Sequence, residues 1–166
     1  MDNKLIYRRA VPADAISLKE LAATTWSQFE RTIGEESWNF LSNALDRVDY
    51  TALVDTSYGA ICTDADKVVG MAFLVPKGNP TEIFQAEWCY VRMVTVHTSY
   101  NGKGIGRNLM AQCIDYARLQ NESVMALHTS EFMDAARHIY ESIGFVRVLE
   151  LEPRFGKKYW LYRLDL

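Results

Sequence analysis

Two rhythms of apolar residues run along this chain, one alternating and one recurring every three to four positions, and the order in which they trade places sketches the fold. Leu5 and Tyr7, followed by Arg8-Arg9, predict a short first strand, and Pro12 then stands where proline suits a first helical turn. Leu18, Leu21, Ala22, Thr25 and Phe29 share one helical face, and Trp38, Leu41 and Leu45 repeat the spacing beyond Gly34, so two N-terminal helices are expected. Between them, residues 26–37 read as an aromatic and acidic turn holding Phe29, Glu30, Glu35 and Glu36.

Residues 59–63 and 67–75 are β-rich runs joined through Asp64-Ala65-Asp66, which predicts a hairpin. Residues 76–80 form a loop by their turn chemistry, and a strand over 87–96 follows, apolar on both faces as a central strand covered on both sides is. Leu109, Met110, Cys113, Ile114 and Ala117 then lay one helical stripe against the sheet. A strand over 123–129, a helix over 132–143 capped by Gly144, and strands over 145–150 and 158–164 complete the pattern. No repeat or linker interrupts it, so the expectation is one α/β domain over residues 1–166.

The strand over 87–96 runs straight into a turn with glycine at 102, 104 and 106 and then into a helix. So little side chain in the turn lets successive backbone N–H groups converge where the helix begins, which suits a phosphate or pyrophosphate; the same glycines would also serve a plain tight turn. No glycine-lysine-serine/threonine run closes the loop, which removes a Walker site. Arg107 and the length of chain upstream disfavour a dinucleotide fingerprint.

Asn101-Gly102-Lys103-Gly104-Ile105-Gly106 resembles the R/Q-x-x-G-x-G/A signature of the GNAT N-acetyltransferase superfamily, with Asn101 where that family usually has Arg or Gln. The block Met133 to Phe145 is similar to the family's downstream A-x-x-x-Y-x-x-x-G-F stretch. The resemblance implies a mixed, mostly antiparallel sheet of six to seven strands, helices on both faces, and splayed central strands. It implies acetyl-CoA as co-substrate; no metal is expected, because the histidines and cysteines lack ligand spacing. The loop residues 101–106 with Arg107 would hold the pyrophosphate, and Val94 and Val96 would pair through their backbones with the pantetheine arm.

By the same resemblance Tyr140 would point its hydroxyl at the CoA sulfur, although its place on the stripe Phe132, Ala135, Ala136, Ile139, Tyr140, Ile143 also suits the core. Many relatives keep a glutamate six residues before the position of Val96, where this chain has Tyr90. Glu87, His128, Glu30, Glu35 and Glu36 therefore stand as alternative bases for the acceptor amine. Trp26, Phe29, Trp38, Phe84, Trp88, Tyr159 and Trp160 give the acceptor side many aromatics, able to bind a cationic amine or simply to pack. The function implied is acetyl transfer to a primary amine of a small molecule or peptide. The alternative is a non-catalytic acyl-CoA-binding sensor.

Composition narrows this further. Charged residues make up 23% and the net charge is −3, with only short basic clusters such as Arg8-Arg9, so nucleic acid is not an expected partner. Cys62, Cys89 and Cys113 are far apart and fall in strand or helix patterns, which suits reduced core thiols, and the three histidines lack zinc spacing. The N-terminus shows no apolar leader core and no run approaches the ~18 residues of a membrane span, so a cytoplasmic protein is expected. A homodimer is compatible with this reading.

Overall fold

A computed structural model describes residues 4–166; the reading of the N-terminus as lacking a leader core begins at Met1 and falls partly outside them. The strands are β1 (Leu5–Arg9), β2 (Tyr58–Asp64), β3 (Lys67–Val75), β4 (Cys89–Val96), β5 (Val124–Ser130), β6 (Val146–Arg154) and β7 (Lys157–Asp165). They form one sheet in the order β1-β2-β3-β4-β5-β7-β6, in which only the β4–β5 pair is parallel. The helices are α1 (Ala15–Trp26), α2 (Glu30–Ile33), α3 (Glu35–Asp46), α4 (Tyr50–Thr56), α5 (Ile105–Leu119) and α6 (Asp134–Ile143).

The sheet separates two cores. On one face Leu109, Met110, Cys113 and Ala117 of α5 meet Cys62, Val69, Val91 and Met125, and Ile139 and Tyr140 of α6 extend the layer. On the other, Leu18 and Leu21 of α1 and Tyr50, Leu53 and Val54 of α4 cover Ile61, Met71 and Phe73. Strand alternation sends neighbouring residues to opposite faces, which explains why β3 is buried from Val68 to Leu74. All three cysteines are buried free thiols, as expected.

Some predicted boundaries shift for identifiable reasons. The stretch 26–37 is a 3-10 turn (Ser27–Phe29) followed by α2 rather than an open loop, and Phe29 belongs to that turn rather than to the face of α1. The helix α4 is absent from the sequence reading because seven residues give too little periodicity, although Asp49 caps it by accepting from Ala52 N–H at 2.9 Å. β4 begins at Cys89 because a turn closes from Trp88 N–H to the Gln85 carbonyl, and β6 runs on to Arg154.

Candidate active site

The glycine turn is held rigidly before it bends. The His97 imidazole accepts from Ser99 N–H at 3.2 Å and caps the short turn Thr98–Tyr100. The Tyr100 hydroxyl donates to Asp64 at 2.6 Å, anchoring the segment to the β2–β3 hairpin, and the Lys103 ammonium lies 5.0 Å over the Tyr100 ring. From there Gly102 and Gly104 adopt φ of +78° and +75°, the left-handed region where glycine is at ease. A Cβ added at either would meet no protein atom within 4 Å.

The turn leaves a row of donors. Six successive backbone N–H groups, from Gly102 to Arg107, donate to no described residue, and the first helical bond runs from Asn108 N–H to the Gly104 carbonyl. Four of these, from Gly104 to Arg107, are the orphan donors that any helix start carries, and the left-handed turn adds those of Gly102 and Lys103. Asn101, Lys103 and Arg107 are exposed around it, whereas Ile105 is buried in the core. Gly106 has a packing role, since its missing Cβ would stand 3.1 Å from the Ile139 side chain of α6. Arg107 donates to the Ser142 hydroxyl at 2.6 Å rather than pairing with Asp115.

Beside the turn the sheet opens. β4 and β5 pair only at Cys89–Met125 and Tyr90–Ala126, so the β5-facing edge of β4 is unpaired from Val91 onward. The register of β4 against β3 slips between Met71 and Phe73, and Met93 takes φ of +57°, a bulge that bends the strand there. His97 N–H donates to Val69 on the β3 side, so by alternation the peptide groups of Val94 and Val96 face the opening. The Trp26 indole donates to Thr95 at 3.4 Å, and Phe29 packs edge-on to Phe132 at 5.0 Å, so the segment after α1 reaches from β4 to the β5–α6 connection.

Tyr140 lies on α6 in the core on the α5 face of the sheet, 6% exposed and edge-on to Phe145 at 6.0 Å. Its hydroxyl makes no hydrogen bond with any described residue and is not among the fully enclosed unpaired atoms. Burial, with a smaller effect of Cys113, raises its pKa well above that of free tyrosine.

The candidate bases are dispersed. Glu30, Glu35 and Glu36 are exposed, the first on α2 and the others in the first turn of α3, where carboxylates complement the positive helix end. Glu87 is exposed in the connection before β4. His128 is different: it stands on β5 between the Phe84 and Tyr159 rings, at 6.0 and 6.1 Å. Phe84 in turn stacks on Tyr90 at 4.3 Å, so Tyr90 fills an aromatic layer where the relatives' glutamate would stand.

Burial pushes the His128 imidazolium down to about 4, with Arg154 and Arg92 adding to the effect. An unfolded histidine takes its proton at about 6.5, so below that pH the unfolded chain binds more protons than the folded one. Stability is therefore lost as pH falls from about 6.5 towards about 4, by about 3 kcal/mol in full. Urea midpoints measured across this range should show a shallower acid limb for His128→Asn than for the parent; parallel limbs would mean that His128 does not set it.

The profile of the Acetyltransferase (GNAT) family matches residues 18–145. Among curated proteins, the L-amino acid N-acyltransferase MnaT of Escherichia coli is 37% identical over 70 residues, 41% of this chain and 40% of that protein. The N-alpha-acetyltransferase RimI of Mycobacterium tuberculosis is 40% identical over 58 residues, 35% of each. The matched stretches thus span well under two thirds of these relatives. Among solved structures, the PaiA N-acetyltransferase of Thermoplasma acidophilum, in complex with coenzyme A, superposes with a TM-score of 0.77 at 12% identity, covering 98% of this chain and 99% of that one. With the family profile matching more than half its length, the chain belongs to the GNAT acetyltransferase family.

Proposed function

We propose that this chain is an acetyl-CoA-dependent N-acetyltransferase whose acceptor is a primary amine of a small molecule or peptide. The observation that carries the reading is the row of unpartnered N–H groups from Gly102 to Arg107 at the mouth of the opening between β4 and β5. Donors without partners beside empty space at Gly102 and Gly104 fit a pyrophosphate. The unpaired β4 edge at Val94 and Val96 fits the amides of a pantetheine arm, added as another strand would be. The names of MnaT and RimI, an amino-acid N-acyltransferase and an N-alpha-acetyltransferase, support an amine acceptor.

Acetyl-CoA brings an activated acetyl thioester. The protein's part is to position it, to receive an amine, and to donate to the departing sulfur. An alkyl ammonium has a pKa of about 10.4, so the amine must lose a proton before it attacks. Neutral His128 accepts a hydrogen bond but holds a proton too weakly at neutral pH to act as the sink, so the proton leaves through water at the exposed side of the site. Tyr140 is the donor to sulfur.

Thiol release from acetyl-CoA, screened across polyamines, amino acids, aminoglycosides and peptide N-termini, tests the reading. Amine-dependent release is expected; CoA binding without release for any amine would favour the sensor instead. Lys103 and Arg107 add charge beside the turn, so each alanine variant should weaken CoA binding by about two- to fivefold and flatten its salt dependence. Unchanged affinity at low and high salt would make both charges bystanders.

A further inference from the structure

Two arginines beside the β4–β5 opening have no carboxylate partner among the described residues. Arg92 on β4 and His128 on β5 each lie two residues beyond the last β4–β5 pair, Tyr90–Ala126, on the same face of the sheet. They therefore face one another across the opening. On the other side of His128 in sheet order, Tyr159 of β7 contacts the imidazole at 6.1 Å, and the Arg154 guanidinium lies 5.8 Å from the Tyr159 ring centre.

On other strands Arg8 pairs with Asp14 at 2.8 Å and Arg163 with Asp165 at 2.9 Å, while Arg9 lies over the Tyr58 ring and Arg147 over the Trp160 ring. The side chains of Arg92 and Arg154 form no ion pair or hydrogen bond among the described residues, and the charge of each disfavours a proton on His128. Arg92 stands opposite Phe73 of β3, whose side chain belongs to the core under α1 and α4, which sets Arg92 on that face of the sheet. A half-buried imidazole kept neutral between two unpaired guanidinium groups, walled by Phe84 and Tyr159, favours an anion and disfavours a second cation there.

We propose that the acceptor carries a carboxylate close to its amine, as a free amino acid does, and that Arg92 and Arg154 hold that carboxylate on either side of His128. This rests on the transferase reading. A planar guanidinium matches a carboxylate in geometry as well as charge, so the pair would orient the amine towards the β4–β5 opening. A polyamine or an aminoglycoside would bring cations to the same place and be repelled. A peptide N-terminus has its nearest carboxyl group tied up in an amide and would forgo the contact.

Three matched acceptors test this: a free L-amino acid, its C-terminal amide, and the amine that lacks the carboxyl group. With acetyl-CoA saturating, the free acid should exceed the other two in kcat/KM by about ten- to a hundredfold, the span of a hydrogen bond to a charged group. Arg92→Gln should raise KM for the free acid by a similar factor with a smaller change in kcat, and Arg154→Gln should do so less strongly. Calorimetry of the N-acetyl amino acid against the CoA-bound protein gives a readout without turnover; binding should weaken in Arg92→Gln while the melting temperature holds.

Equal use of the acid, the amide and the amine would overturn the carboxylate site and leave acetyl transfer standing. An acid preference that survives in the double variant would overturn the assignment to these arginines. Absence of turnover with all three, alongside Arg92-dependent binding of the N-acetyl amino acid, would overturn the transferase reading and uphold the carboxylate site.

Discussion

Tyr140→Phe should lower turnover by about ten- to a thousandfold, the span of a positioned acid or donor, with CoA affinity and melting temperature unchanged. An aliphatic thiol has a pKa near 8.5 and a free tyrosine near 10, so full proton transfer to the sulfur is uphill by about 1.5 units, or about 2 kcal/mol. Burial raises the Tyr140 hydroxyl further, which widens that gap. In the proposed mechanism the group would therefore act as a hydrogen-bond donor as negative charge gathers on sulfur, a role felt in the transition state and not in binding. Stability should be spared because the hydroxyl has no partner among the described residues to lose, while the ring keeps its contact with Phe145. A destabilised variant with full turnover per folded molecule would return Tyr140 to the core alone.

Gly104→Val should abolish measurable CoA binding, a loss of about a hundredfold or more, because the branched side chain enters the open concavity that the N–H groups face. The backbone adds its own penalty. At φ of +75° a β-branched residue costs about 1–2 kcal/mol, so the melting temperature should fall by several degrees as well. Gly156 separates the two effects, since it has φ of +68° in the β6–β7 turn and equally open surroundings. Gly156→Val should show the thermal loss and retain CoA binding. Equal CoA affinity in Gly104→Val and the parent would place the phosphate site elsewhere.

The legible parts of the molecule were those written in local pattern. All seven strands lie where alternation or apolar runs put them, because each strand's burial is fixed by residues within a few positions of it. The glycine turn was legible for the same reason: positive φ at 102 and 104 is a demand that glycine meets locally.

What escaped depends on distant or atypical partners. Met93 adopts positive φ without being glycine, so no residue type announced the bulge that bends β4. The 26–37 stretch reads as an aromatic and acidic turn, yet residues 27–33 are helical there, with Phe29 against Phe132 and Trp26 donating to Thr95, both far along the chain. His128, Arg92 and Arg154 come from three strands, and only the register of β4, β5, β7 and β6 brings them together. Glu30, Glu35, Glu36 and Glu87, offered as alternative bases where Tyr90 replaces the expected glutamate, are exposed.

The proposed acetyl transfer depends first on the backbone donors of the glycine turn, and amide-resolved NMR during a titration with CoA observes them directly. The N–H signals of Gly102, Lys103, Gly104, Ile105, Gly106 and Arg107 should move together and saturate at the affinity found by calorimetry, while those of the β2–β3 hairpin tip stay in place. Binding that leaves these six signals unmoved, or no binding of CoA at all, would contradict the account.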